Sequence, residues 1–187
     1  MIMKRFFSVF CISILALFNL QAQREEIRFP ENAKLPKSFR QAILTQTNEY
    51  NRLFYRDSTR TKYYPESFIL DKIDNDSNYQ FIFLAEYWIA FHYDKIIPDL
   101  IKRITNKKEI GLVNSADLII WERVNAKQMN FYGHGGICKD DLFTIAGRAN
   151  RLLTVITGED FGHVSMYSTQ TDLELLQKKW MKWLKRL

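Results

Sequence analysis

Cysteine is nearly missing from this chain: Cys11 and Cys138 are the two thiols in 187 residues. Cys11 falls inside an apolar N-terminal run, so the remainder holds one thiol, which excludes the disulfide framework that staples small secreted domains. Glycine, with 7 residues, and proline, with 4, are scarce as well. That excludes a turn-rich β-sandwich and a low-complexity disordered chain. The three histidines are His92, His134 and His163. None lies at i+3 or i+4 from another, and no Cys-x-x-Cys is present, so the usual zinc-ligand spacings are lacking. The acidic run Asp71, Asp74 and Asp76 has neither the glycine nor the closing glutamate of an EF-hand loop and reads as turn chemistry. No metal and no cofactor is expected.

What the chain does have is apolar and aromatic bulk, 47% and 14% of residues, enough for a packed core at a one-domain length. Its N-terminus has three parts. Lys4 and Arg5 are a basic lead, Phe6 to Leu20 is an uncharged apolar run, and Leu20-Gln21-Ala22 offers a small residue for cleavage. This is the pattern of a secretory signal peptide, and its apolar run is short for a bilayer span. The expectation is a signal peptide over residues 1–22, export to the periplasm or cell exterior, and a product beginning at Gln23. Loss of Lys4 and Arg5 lowers the formal charge by two, from +6 to +4. Residues 23–34 are polar and read as a flexible arm; residues 35–187 read as a single helical domain.

Helical periodicity organises that domain. A stripe from Phe39 to Phe54 follows Leu35-Pro36, and a short helix is expected over Pro65–Ile73. The segment from Asn78 to Tyr93 is apolar nearly all round, as a central helix is. Asp94 then reads as the cap of a partner helix with Ile97, Leu100, Ile101 and Ile104 on one face, and the short join predicts an antiparallel hairpin. Ser115 to Val124 reads as helix, with strand as the alternative. Leu142, Ile145, Ala146, Ala149, Leu152, Leu153 and Ile156 form the cleanest stripe, with Asp140 and Asp141 at its positive end and Gly158 beyond its last turn. Thr171 and Glu174 read as a capping box for a final helix carrying Leu173, Leu176, Trp180, Trp183, Leu184 and Leu187 on one face. The fold class expected is all-α, built from stacked antiparallel helix hairpins.

One family resemblance supports this. Ala146 to Gly162, ending in Ile156-Thr-Gly-Glu-Asp-Phe-Gly162, resembles the last repeat of bacterial HEAT-repeat-like proteins, in which such a turn leads to a helix with paired tryptophans, here Trp180 and Trp183. Residues 94–105 resemble the second helix of a HEAT hairpin. The likeness covers about a third of the chain, no strict period of about 40 residues runs through it, and the stretch from Gly162 to Trp180 is longer than in the family. It implies a short α-α superhelix, a structural role for Gly158, Phe161, Gly162, Trp180 and Trp183, and partner binding rather than catalysis.

Tyr132-Gly-His134-Gly-Gly-Ile-Cys138 is the most unusual stretch. Read as chemistry, His134 activates the Cys138 thiol with Asp140 or Asp141 behind it, and the glycines turn backbone N–H groups toward an oxyanion; the product would be a cysteine-dependent hydrolase or transferase. Read as structure, it is a tight loop with a small buried thiol. No Gly-x-Ser-x-Gly elbow accompanies it. The adjacent acids Glu159 and Asp160 lack a hydrophobic pocket to separate their pKa values. Lys178, Lys179, Lys182, Lys185 and Arg186 crowd the last helix. They either rest on an anionic membrane surface or face water while offsetting the helix dipole; nucleic acid is not expected as a partner. Phe54, Tyr55, Tyr63 and Tyr64 are core if buried and a sugar or peptide platform if exposed. The function expected is an exported, non-catalytic protein-binding or scaffold module. The cysteine enzyme and the membrane-surface protein are the alternatives.

Overall fold

A computed structural model describes residues 26–35, 37, 63–78, 81–113 and 117–187. The expected signal peptide, the helix expected to run to Asp57, and Phe54 and Tyr55 lie outside the described residues. The described part is mainly helical, with one two-stranded sheet. Helix α1 is Glu66–Asn75, α2 is Phe81–Arg103, strand β1 is Leu118–Ile119, α3 is Trp121–Asn125, β2 is Gly136–Ile137, α4 is Ile145–Thr157 and α5 is Gln170–Leu184.

Pro65 precedes α1 in an extended conformation, where its missing N–H costs nothing. Ile69 and Ile73, one turn apart, are the residues α1 buries. Its last turn is tied to the end of α2 by Arg103, whose Nε and Nη2 donate to the two oxygens of Asp74 at 2.8 and 2.7 Å. Asp76 accepts from Lys72 Nζ and from the N–H of Asn78. The acids of this segment therefore serve turns and ion pairs.

The two helices expected over residues 78–105 are present as two helical arms that meet at a kink within Phe81–Arg103. α2 runs through Asp94 without a connecting turn, and the break is His92, at φ −128° and ψ 30°. Pro98 lies inside the second arm, where its ring meets the carbonyl of Asp94 and cannot donate to it. The kink falls just before that carbonyl. His92 itself stacks on Trp88, ring centroids 4.4 Å apart.

α2 and α4 form the centre. Ile89, Ile96, Ile97, Leu100, Ile101 and Ile104 pack in a cluster with Ala146, Ala149, Leu152, Leu153 and Ile156. The two alanines let the helix backbones approach. α5 adds Leu173, Leu176, Trp180, Trp183 and Leu184 to the same cluster; Leu187, expected on that face, is 41% exposed. Residues 26–34, within the expected flexible arm, have no helix or strand, yet Ile27 and Phe29 pack on the core and Phe29 stands edge-on to Tyr93 at 5.6 Å.

Two helix starts differ from expectation. α4 begins at Ile145, with the Thr144 hydroxyl accepting from the N–H of Gly147; Asp140 and Asp141 are buried before it and do not cap it. α5 begins two residues early because Thr169 and Asp172, and not Thr171 and Glu174, close the capping box. Gly158 ends α4 in the left-handed conformation, φ 73°, as expected. The described part of residues 115–124, expected as one helix or one strand, divides between β1 and α3, with Ile120 extended between them.

Candidate functional site

The glycine-rich stretch is a backbone contact. β2 lies parallel to β1 with Leu118 opposite Gly136 and Ile119 opposite Ile137. The N–H of Gly136 donates to the Asp117 carbonyl at 2.9 Å, and that of Cys138 to the Ile119 carbonyl at 2.8 Å. A Cβ on Gly135 would sit 2.8 Å from the Asp117 carbonyl carbon, and its φ of +124° suits glycine alone. These N–H groups are therefore committed to the sheet and do not form an oxyanion cradle.

The proposed His134, Cys138 and Asp141 set is not assembled. His134 is largely exposed, with Nδ1 3.9 Å from Asp117 Oδ1. Cys138 is buried, and its Sγ donates to the Asp140 carbonyl at 3.3 Å. Burial, with the Asp140 charge adding to it, pushes the thiol up to about 11. A thiol held there is not a nucleophile near neutral pH. Both oxygens of Asp141 accept from Arg123, at 2.8 and 2.5 Å.

Arg123 is the hub of a dry polar cluster that the sequence did not announce. It also donates to Glu109 and Gln128, and its guanidinium lies 4.5 Å from the centre of the Phe143 ring. Burial alone would lower its pKa, but the hydrogen bonds to Asp141 and Glu109 more than offset this and hold it raised. Asp140 accepts from Asn150 Nδ2 and from the N–H of Val164, and Asn150 in turn accepts from the Trp180 indole at 2.9 Å. Burial raises the Asp140 carboxyl above its ordinary range. Arg148, fully buried, donates to the carbonyls of Leu142, Ile73, Asp76 and Gly111. Burial lowers its pKa to about 10. Each of these groups joins chain segments far apart in sequence. They hold the fold, and none presents a reacting atom to a cleft.

Glu86 is different. It is buried on α2, its Oε1 has no hydrogen-bond partner among the described residues, and Arg151 on α4 is 4.0 Å away. Burial pushes its carboxyl up to about 7. The Thr154 hydroxyl, one turn beyond Arg151, is also buried without a partner.

Four exposed apolar side chains belong to the β1–α3–β2 unit. Trp121 is 44% exposed and pairs with Phe131, itself 50% exposed, at 5.2 Å between ring centroids. Tyr132 and Ile137 follow at 59% and 68%. Glu122, beside Trp121, accepts from the Ser165 hydroxyl and from the N–H of Met166, which fixes the turn carrying exposed Tyr167 against α3. The ladder uses the N–H groups of Gly136 and Cys138, so the N–H and C=O of Ile137 face outward.

The other sequence candidates fall elsewhere. Phe161 stands edge-on to Trp180, and Trp180 edge-on to Trp183, at 4.7 and 5.6 Å. Gly162, at φ 120°, turns the chain beyond them. Both tryptophans are buried, while Lys178, Lys179, Lys182, Lys185 and Arg186 are exposed. Glu159, Asp160 and His163 are exposed, with Asp160 accepting from the N–H of Gly162. Tyr63 and Tyr64 are exposed beside α1, Tyr64 against Phe68. A cavity of about 220 Å³ opens between Phe161–His163 and the start of α5. Asp172 there serves the helix cap, and Lys179 donates to the Phe161 carbonyl. Among the described residues, no three His, Cys, Asp or Glu side chains gather as metal ligands, and no helix is long and apolar enough to cross a membrane.

In comparison with known proteins, no family model, no curated protein and no solved structure matches this chain.

Proposed function

We propose that the chain is an exported, non-catalytic protein-binding module: a short helical stack, akin to a HEAT-type superhelix, that offers its β1–α3–β2 unit to a partner. One observation carries this reading. Trp121, Phe131, Tyr132 and Ile137 are all more than 40% exposed on one sheet-and-loop unit, whereas Cys138, Asp140, Asp141 and Arg148, which follow in sequence, are buried in internal contacts. Aromatic side chains left in water beside a rigid scaffold are the usual anchors of protein interfaces. The open edge at Ile137 adds a backbone donor and acceptor to the same unit.

The test is capture from the envelope fraction with wild type and with the double variant Trp121→Ala/Tyr132→Ala. The reading expects a partner retained by wild type and lost by the variant, with the same circular dichroism for both. Equal capture by both proteins, or none by either, overturns it.

A further inference from the structure

We propose that the outer face of α5 is a docking surface for an anionic phospholipid bilayer, held by charge without insertion of the tryptophans. α5 spans Gln170–Leu184, and residues 175–187 hold five cations and no acid. At 100° per residue, Lys178, Lys182 and Leu175 fall within one sector about 60° wide, and Lys185, the C-cap, and Arg186 follow in the turn beyond the helix. All five are exposed, Leu175 at 52%. The opposite sector carries Leu173, Leu176, Trp180, Trp183 and Leu184, all buried. Lys178, Lys182 and Arg186 make no ion pair among the described residues. Lys179 is set apart, its ammonium on the Phe161 carbonyl.

Offsetting the helix dipole needs a cation or two in the last turn. Here the cations extend two turns further back along one face, which the dipole does not explain. A straight row of cations suits a flat, laterally continuous array of negative headgroups, and a single apolar residue among them suits a shallow seat at the headgroup level. With Trp180 and Trp183 committed to the core, binding is electrostatic, reversible and screened by salt. The surface uses none of the residues of the β1–α3–β2 unit, so the two proposals fail independently.

The experiment is co-sedimentation of the protein with vesicles of phosphatidylcholine alone or with one-third phosphatidylglycerol, at low and high salt. Wild type should sediment with the anionic vesicles at low salt, and be released by high salt and by pure phosphatidylcholine. Lys178→Glu/Lys182→Glu/Arg186→Glu should weaken partition by at least about 100-fold, at roughly fivefold for each of the three cations lost. The conservative set Lys178→Arg/Lys182→Arg/Arg186→Lys should bind as wild type, which separates lost charge from lost folding. Sedimentation indifferent to lipid charge, none with either vesicle, or an undiminished charge-reversed variant overturns the proposal. So does retention on duplex DNA at a salt concentration that releases the vesicles.

Discussion

Residues 117–137 and residues 138–150 are consecutive in the chain and differ in what they leave in water. The first stretch leaves Trp121, Phe131, Tyr132 and Ile137 in water. The second hides Asp140, Asp141, Arg148 and Asn150, along with Cys138. Each reverses the ordinary placement of its residue types, and each reversal has its own cause. The buried polar groups are paired with one another or with carbonyls from other segments, so their desolvation is offset. The exposed aromatic groups have no such internal compensation. A fold that tolerates them on one unit is shaped for something outside itself.

The sharpest way to break this contrast is to unpair the buried side. Asp141→Ala removes the buried partner of the Arg123 guanidinium, leaving it the exposed Glu109 and Gln128, and should cost about 3 kcal/mol, the lower end for breaking a buried pair, read as a lower urea midpoint. A loss under about 1 kcal/mol would mean that water reaches this cluster. Next comes Gly147→Ala. Its new Cβ would lie 2.0 Å from the Asp141 carbonyl oxygen, a backbone atom that cannot swing away, so at least ~3 kcal/mol is expected, the upper end for overpacking.

Glu86 tests the same side by pH. Its folded pKa of about 7 lies above the ordinary carboxyl value, so the folded state holds the proton more tightly than the unfolded chain. The stabilisation is fully present below the unfolded value, near 4.3, and is lost as pH rises through about 7. The span corresponds to roughly 4 kcal/mol at most. Denaturation midpoints should therefore decline from about pH 4 to about pH 7 in wild type, and stay flatter in Glu86→Gln. Parallel curves for the two proteins would show that Glu86 is paired or hydrated. The smallest effect belongs to the exposed side: Trp121→Ala and Tyr132→Ala should each shift stability by no more than about 0.5 kcal/mol. A larger loss would place those rings in the core.

Periodicity made the apolar half of this fold readable. The stripe of α4, the buried face of α5 and the glycine stop at Gly158 all follow from spacing, because burial of one helix face repeats along the chain. Polar burial does not repeat. Nothing local marks Arg123 or Arg148 as dry, since their partners come from Asp141, 18 residues on, and from the Ile73 carbonyl, 75 residues back. Asp140 and Asp141 fit a dipole-facing position by sequence and were drawn instead to Asn150 and Arg123, leaving the cap to Thr144. The box at α5 had two registers of the same pattern, and only packing of the preceding turn chooses Thr169. The break between the two arms of α2 falls at His92, two residues before the expected cap at Asp94. At the candidate site, the glycines were legible as special; their purpose was not, because close approach to Asp117 depends on a strand pairing that spacing does not encode.

Labelling of the Cys138 thiol in the native protein, followed from neutral to alkaline pH, tests the central claim most directly: that the unusual residues of 138–150 are walled-in scaffold. The account predicts that labelling at neutral pH proceeds only as fast as the protein opens, rising sharply when urea unfolds it. Rapid stoichiometric labelling of the folded protein near neutral pH would contradict it, for it would reveal an accessible thiolate where a dry, hydrogen-bonded thiol is required.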